Sequence, residues 1–326
     1  MVRLLSGMRP TGRLHLGHLV GALENWISLQ DTYDCFFAIA DWHALTTASA
    51  DTSQLSGNTM EMAQSWRAIG IDFSRSTVFV QSHLPEHAEL HLLLSMVTPM
   101  SWLERDPTLK AMVEDMHIKS VSYGLMGYPV LQAADILLYK AKAVPVGVDQ
   151  LPHIELAREV ARSFNRTFKE TFPEPAALLT PTPKLNGIDG RKMSKSLGNC
   201  VYLDDAPVEI EAKIIKLFTD PAKVHKDDPG NPDICHLQDY HKVFRPFDAD
   251  EHDRACRAGR LGCVQHKKLV AATISDRLAG YRERKAGLAG REAETAAMLA
   301  AGAGRAREVA RATMEQARAA AGIFSG

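Results

Sequence analysis

The sequence predicts an α/β protein: a parallel sheet sheathed in helices, with an all-helical domain inserted in it or following it. Three observations carry this. Short apolar runs alternate with helix-length segments through the first 150 residues. Parallel strands need crossover connections, usually helices, so such alternation is how parallel sheets are built. The strand-like runs then stop near Pro207 and give way to helical segments broken by glycine. At 326 residues and 45% apolar composition, the chain can bury a substantial core without disulfide staples.

Val2-Arg3-Leu4-Leu5 reads as the first strand, and Gly7 to Gly12 as a turn around Pro10-Thr11-Gly12. A helix is expected from about Gly17 through Ile27, then a buried strand over Tyr33 to Ile39. Thr52 to Ile69 carries a helical stripe of Leu55, Thr59, Met62, Trp66 and Ile69. Thr77 to Val80 is the next strand. Glu89 to Val97, Pro107 to Val121 and Pro129 to Tyr139 allow helices, the last beginning at its proline. Ala143 to Val148 is a strand despite Pro145, and Pro152 to Phe168 a helix. Pro173 to Gly190 reads as a linker, and Ser194 to Leu203 as an exposed polar stretch. Pro207 to Phe218, Asn231 to Val243, Ala255 to Leu261 and Gly262 to Lys285 are helical. The tail, Arg291 to Ala321, has only a weak apolar stripe, so it should pack on the body rather than stand alone. The expected domains are 1–203, 204–290 and 291–326.

Composition narrows the function. Lys and Arg total 38 against 39 Asp and Glu, so any nucleic acid must meet a local basic face. Cys35, Cys200, Cys235, Cys256 and Cys263 are too few and too uneven for an oxidised scaffold. Met1 to Leu5 does not open a signal peptide, and no run of eighteen apolar residues exists to span a membrane. The expected location is a reducing cytoplasm.

Four strings carry chemistry. His15-Leu16-Gly17-His18 places two imidazoles at a strand-to-helix turn, where backbone N–H groups and imidazoles suit phosphate oxygens. The same pattern also suits two cap histidines on a surface loop. Lys192-Met193-Ser194-Lys195-Ser196 sets two ammonium groups in a small-residue loop that can fold onto a pyrophosphate. Tyr128-Pro129-Val130-Leu131-Gln132-Ala133-Ala134-Asp135 holds a carboxylate in apolar company, an acceptor suited to an indole N–H or to a neighbouring lysine. Gly147-Val148-Asp149-Gln150 lies where a strand should end, the usual ligand position in open α/β sheets. There Asp149 can accept from ribose hydroxyls and Gln150 can reach an amino group. Alternatively, Asp149 caps the helix that follows.

In these strings, their order and their separation, nearly the whole chain resembles the bacterial tryptophanyl-tRNA synthetases, which are class I aminoacyl-tRNA synthetases. That resemblance implies a Rossmann-like nucleotide-binding domain and two steps. The tryptophan carboxylate attacks the α-phosphorus of ATP, with Mg2+ assisting, and releases pyrophosphate. The terminal adenosine of the tRNA then takes tryptophan from the adenylate. The resemblance makes His15, His18, Lys192 and Lys195 the catalytic set. Arg9, Thr11, Gly17, Gly147, Asp149 and Ser194 join them around ATP, although Arg9 replaces a common Gln and could equally be an exposed loop residue. Tyr128 and Gln150 match contacts to the amino group and Asp135 the acceptor for the indole N–H. Leu5, His43, Gln132 and Val146 fall near the tryptophan pocket, with Gln132 standing where many relatives carry Met. A homodimer on tRNA specific for tryptophan is implied, with Leu90 to Trp102 and Met112 to Met126 as candidate interface. Neither a membrane nor DNA is an expected partner. A tyrosine-specific ligase, a small-molecule nucleotidyltransferase and a non-catalytic tRNA-binding paralogue are the competing readings. The intact histidines, lysines and Asp149 oppose lost activity.

Cys235, Cys256, Cys263 and His266 resemble a cysteine set that binds a [4Fe-4S] cluster in some members, with His in place of the last Cys. Three thiolates and an imidazole suit such a cluster or a tetrahedral Zn2+, and the four can also be packing residues without metal.

Overall fold

The computed structural model describes residues 1–115, 118–179 and 185–324. In it β1 (Val2–Met8), β2 (Tyr33–Ile39), β3 (Thr77–Val80), β4 (Ala143–Val146) and β5 (Ala176–Leu179) form one parallel sheet in the order β3-β2-β1-β4-β5. Leu4, Leu5, Phe36, Phe37, Ile39, Val78 and Phe79 are buried, so the central strands read as near-continuous apolar runs, as a sheet covered on both faces requires. Against one face, Trp26 stacks on Phe37 with centroids 4.7 Å apart and meets Trp66 edge-on at 5.1 Å. Against the other, Tyr139 meets Phe36 at 5.0 Å and Phe79 at 5.4 Å, beneath the helices Glu86–Ser95 and Tyr123–Leu138.

Several elements differ from expectation. β1 continues to Met8, into the expected turn, because every residue pairs with β2 from Val2 with Tyr33 to Met8 with Ile39. The helix expected at Gly17 starts at Leu16 and reaches Leu29, with a π-helical stretch over Leu19–Leu23. Pro129 does not begin its helix. Ser122 caps it by accepting the Leu125 N–H at 3.1 Å, and Pro129 lies inside Tyr123–Leu138. The expected linker, 173–190, carries β5, whose four residues pair with β4; residues 180–184 of it lie outside the description. The helix over Pro107–Asp115 is shorter than expected, and residues 116 and 117 lie outside the description. The helix expected at Asn231 starts at His236, after a 3-10 turn over Pro232–Ile234 that Asn231 caps. The segment expected over Ala255 to Leu261 is helical over Ala249–Arg257. Sequence reading missed the helix Asp41–Ala48.

The chain divides into two compact units. The first comprises Met1–Gly12, Trp26–Pro181 and Gly290–Gly326; the second comprises Arg13–Asn25 and Thr182–Ala289. Within the first, the tail helix Glu292–Ala320 lies against β3. A Cβ on Gly302 would sit 1.8 Å from the Val78 carbonyl oxygen, so only glycine permits that approach. Arg305 fixes the register by donating to the carbonyls of Phe73 and Ser76 at 2.8 and 3.0 Å. Within the second, the helix Cys263–Ala286 packs on Pro207–Ile214 and His236–Phe244, burying Ile210, Ile214, Tyr240, Val270 and Ile274.

Candidate active site

In the first unit the expected amino-acid residues gather at the carboxyl ends of the strands, where open α/β sheets place ligands. His43 follows β2, Gln81 follows β3, and Val146 to Gln150 close β4. Tyr128, Gln132 and Asp135 lie at i, i+4 and i+7 of Tyr123–Leu138, hence along one face. Asp135 is buried but has protein donors that sequence reading did not supply. Gln81 donates its Nε2–H to both carboxylate oxygens at 2.8 and 3.0 Å, His43 Nε2 donates at 2.8 Å, and His87 Nδ1 at 2.6 Å. Burial alone would raise the Asp135 carboxyl, but His87 and His43 outweigh it and hold the group well below the usual carboxylate range. The other nitrogen of His87 meets the Tyr139 hydroxyl at 2.7 Å. Asp135 is thus a fixed anion in an apolar wall.

Tyr128 is buried, and its hydroxyl lies 3.0 Å from His153 Nε2. Burial pushes that phenol well up, so it stays a neutral hydroxyl. His153 Nδ1 is 3.0 Å from Gln150 Oε1, and Gln150 donates to Asp149 Oδ2 at 3.1 Å, so one chain of hydrogen bonds orders Tyr128, Gln150 and Asp149. Asp149 is exposed, and a Cβ on Gly147 would sit 2.6 Å from its Oδ1. Leu5 is a core residue of β1, and Val146 and Gln132 are half-buried. Arg9 is exposed, with Nη1 3.4 Å from Thr47 Oγ1, and Thr11 is exposed beside it.

In the second unit the first signature string is stitched to the segment that follows the basic loop. The Leu16 N–H donates to the Val201 carbonyl at 2.9 Å and the Leu203 N–H to the Leu14 carbonyl at 3.0 Å, making an antiparallel bridge of His15 with Tyr202. Arg13 reinforces it, donating to Asp204 at 2.6 Å and lying 4.2 Å over the Tyr202 ring. The His15 and His18 rings lie against each other, tilted by 34°, with centroids 3.7 Å apart. His18 Nδ1 accepts the His15 backbone N–H at 3.2 Å, so its remaining proton sits on Nε2, available to a phosphate oxygen. Burial, then the nearby charges, push His18 well down; burial and Lys195 bring His15 down to about 4. Among the described residues His15 Nδ1 is buried without a partner. Burial also lowers Lys195 to about 8. At neutral pH the imidazoles are therefore neutral donors, and cationic charge comes from Lys195 and the exposed Lys192.

The basic loop is better anchored than its composition suggested. Met193 is buried, with Sδ 3.7 Å from where a Gly17 Cβ would stand. Buried Asn199, which sequence reading missed, accepts the Ser194 N–H at 2.8 Å and donates to Asp189 Oδ1 at 2.7 Å and the Lys192 carbonyl at 3.1 Å. Ser194 and Ser196 join through their hydroxyls at 2.9 Å.

The expected metal set is not assembled as four. His266 faces His241 instead, with Nε2 2.7 Å from its Nδ1. Among the described residues the side chains close enough to share an ion are His241, His252 and His266. The donor set does not fit a [4Fe-4S] cluster, and all five cysteines are free.

The chain matches the family model for "tRNA synthetases class I (W and Y)" over residues 1–279. It is 47% identical to the tryptophan–tRNA ligase of Thermotoga maritima, covering 99% of this chain and 100% of that one. It is 42% identical to that of Aquifex aeolicus, covering 97% and 98%. Its structure is similar to the Campylobacter jejuni tryptophanyl-tRNA synthetase complexed with ADP and tryptophan, at a TM-score of 0.87 and 31% identity, covering 99% and 100%. The five-stranded parallel sheet, the first signature string paired beside the basic loop and these full-length matches together place the chain in the tryptophan and tyrosine branch of the class I tRNA synthetases, and it belongs to that family.

Proposed function

We propose that the chain is a tryptophan–tRNA ligase, which activates L-tryptophan with magnesium-bound ATP and transfers it to the 3′-terminal adenosine of its tRNA. The observation that supports the reading is the pairing of the first signature string with the segment just after the basic loop, which sets neutral imidazoles and the half-buried Lys195 in one framework. The tryptophan carboxylate attacks the α-phosphorus in line and pyrophosphate departs. His18 Nε2–H donates to a phosphate oxygen, and Lys195 and Lys192 balance the charge growing on the leaving group. No side chain becomes covalently linked; positioning and fixed charge lower the barrier. The 2′-hydroxyl of the tRNA terminus then attacks the adenylate carbonyl and AMP leaves.

Asp135 accepts the indole N–H as an anion already ordered by Gln81, His43 and His87. Tyr128 and Gln150 take the substrate amino group and Asp149 the ribose. Gly147, Gly17, Thr11 and Ser194 line the approach to ATP, and Leu5, Val146 and Gln132 shape the indole side. The helices after Pro207 read the anticodon. A homodimer suits the apolar side chains exposed in the expected interface segment: Leu92, Met96, Met100 and Tyr123 are each more than half exposed. No helix among the described residues is long and apolar enough to cross a membrane. A cytoplasmic site of action follows from the substrates and the free thiols. The test is charging of defined tRNAs with tryptophan and tyrosine in parallel. Tryptophan on its own tRNA should be the charged pair; preferential tyrosine charging would refute the assignment.

A further inference from the structure

We propose that His241, His252 and His266 bind a divalent transition ion of the zinc type, which clamps the three helices His236–Phe244, Ala249–Arg257 and Cys263–Ala286. Each helix contributes one imidazole. The ring centroids are 4.2, 4.8 and 5.2 Å apart, and one ligand nitrogen from each ring lies within 4.8 Å of the others. Asp248 organises the donors from outside. Its Oδ1 accepts from His241 Nε2 at 2.8 Å, so the bare lone pair of His241 is on Nδ1. Its backbone carbonyl accepts from His252 Nδ1 at 3.2 Å, which leaves Nε2 of His252 bare. His266 Nε2 faces His241 Nδ1 at 2.7 Å. A carboxylate on the far nitrogen of a ligating imidazole is the usual support of a histidine–metal site. Arg245 occupies the other Asp248 oxygen at 2.5 Å, so the carboxylate stays an outer partner rather than a ligand.

Ligand chemistry selects the ion. Three neutral imidazoles suit Zn2+, Co2+ or Ni2+, and a cluster built on thiolates has no donor here. At Zn–N distances of about 2.0–2.1 Å in a tetrahedron, ligand nitrogens stand about 3.3 Å apart. The His241–His266 pair therefore has to open by about 0.6 Å, a small side-chain rotation, and the Nε2 proton that His266 lends to the hydrogen bond moves to its Nδ1 as the ion replaces that bond. His241 and His266 are buried and the His252 side chain is 18% exposed, so the fourth position faces the His252 side and takes water.

The test uses the full chain, freed of any histidine tag and stripped with a chelator, then titrated with Co2+. One equivalent should produce visible ligand-field bands without the near-ultraviolet thiolate charge-transfer band, and Zn2+ should abolish the colour. The ion should also raise the Tm. His252→Gln, at the partly exposed position, should lose both effects while retaining tryptophan activation as its folding control. Asp248→Asn should weaken binding by about 10–100-fold. Cys256→Ser should change nothing. Absence of binding would overturn the proposal, and so would a thiolate band removed by Cys256→Ser, which would assign the ion to the cysteines.

Discussion

At Asp135 a carboxylate is kept charged where burial alone would neutralise it, because three side chains from outside its own helix donate to it. Asp135→Asn keeps the volume and removes the anion. One lost charge-assisted hydrogen bond costs about 1.5–3 kcal/mol, so kcat/KM for tryptophan should fall roughly ten- to a hundredfold. KM for ATP should move little. Steady-state pyrophosphate exchange checks both, and an unchanged tryptophan term in folded protein would remove Asp135 from the pocket. Lys195 supplies a second prediction. Burial lowers its pKa to about 8, so the ammonium is charged below that pH and is lost as pH rises through it. With ATP varied, kcat/KM reports the free enzyme and should fall above about pH 8. Lys195→Arg, which stays charged, should lose that limb, whereas an identical descending limb in Lys195→Arg would show that another group sets it. Asp135 and Lys195 were legible because each sits in a short, unusual string. Gln81 and His87 were not: both lie about fifty positions from Asp135 and become site residues only when the sheet brings their elements together.

At the scale of elements, legibility followed how much of the burial pattern was local. β2 and β3 matched to the residue because both are apolar runs covered on both faces. β5 is Ala-Ala-Leu-Leu at the sheet edge, only partly buried and flanked by prolines, so nothing local separates it from a linker. Pro129 misled for a related reason. A proline usually marks a helix start, but here the Ser122 cap sets the start and the helix continues through the proline. The loop over Lys192 to Asn199 shows an element whose string was readable and whose support was hidden. Its polar composition suggested an unanchored stretch, whereas Asn199 bonds Ser194 and Lys192 inside it and Asp189 before it, and Met193 is buried. Asn199→Ala removes all three bonds. The rate of adenylate formation should fall roughly tenfold or more, on the basis of about 1–3 kcal/mol for unmet buried partners. Tryptophan affinity should stay within about twofold, because the loop serves the phosphates. Rapid-quench measurement of the adenylate separates the two, and equal losses in rate and affinity would contradict that division of labour.

For the whole molecule, the two units divide the chemistry along discontinuous stretches of chain. The sheet unit holds Tyr128, Asp135, Asp149 and Gln150, and the tail helix returns to it through Gly302 and Arg305. The other unit holds both signature strings, because 13–25 pairs with the segment after the basic loop and not with the sheet strand that precedes it. Sequence order alone hid that grouping, since the paired segments are separated by nearly two hundred residues. The central claim is that this framework activates tryptophan and no other amino acid. It is tested most directly by amino-acid-dependent exchange of labelled pyrophosphate into ATP, run with tryptophan and tyrosine side by side. Tryptophan should drive exchange with kcat/KM roughly a thousandfold or more above tyrosine, as expected where a buried acceptor demands its donor. Comparable exchange with tyrosine, or exchange with neither amino acid, would contradict the account.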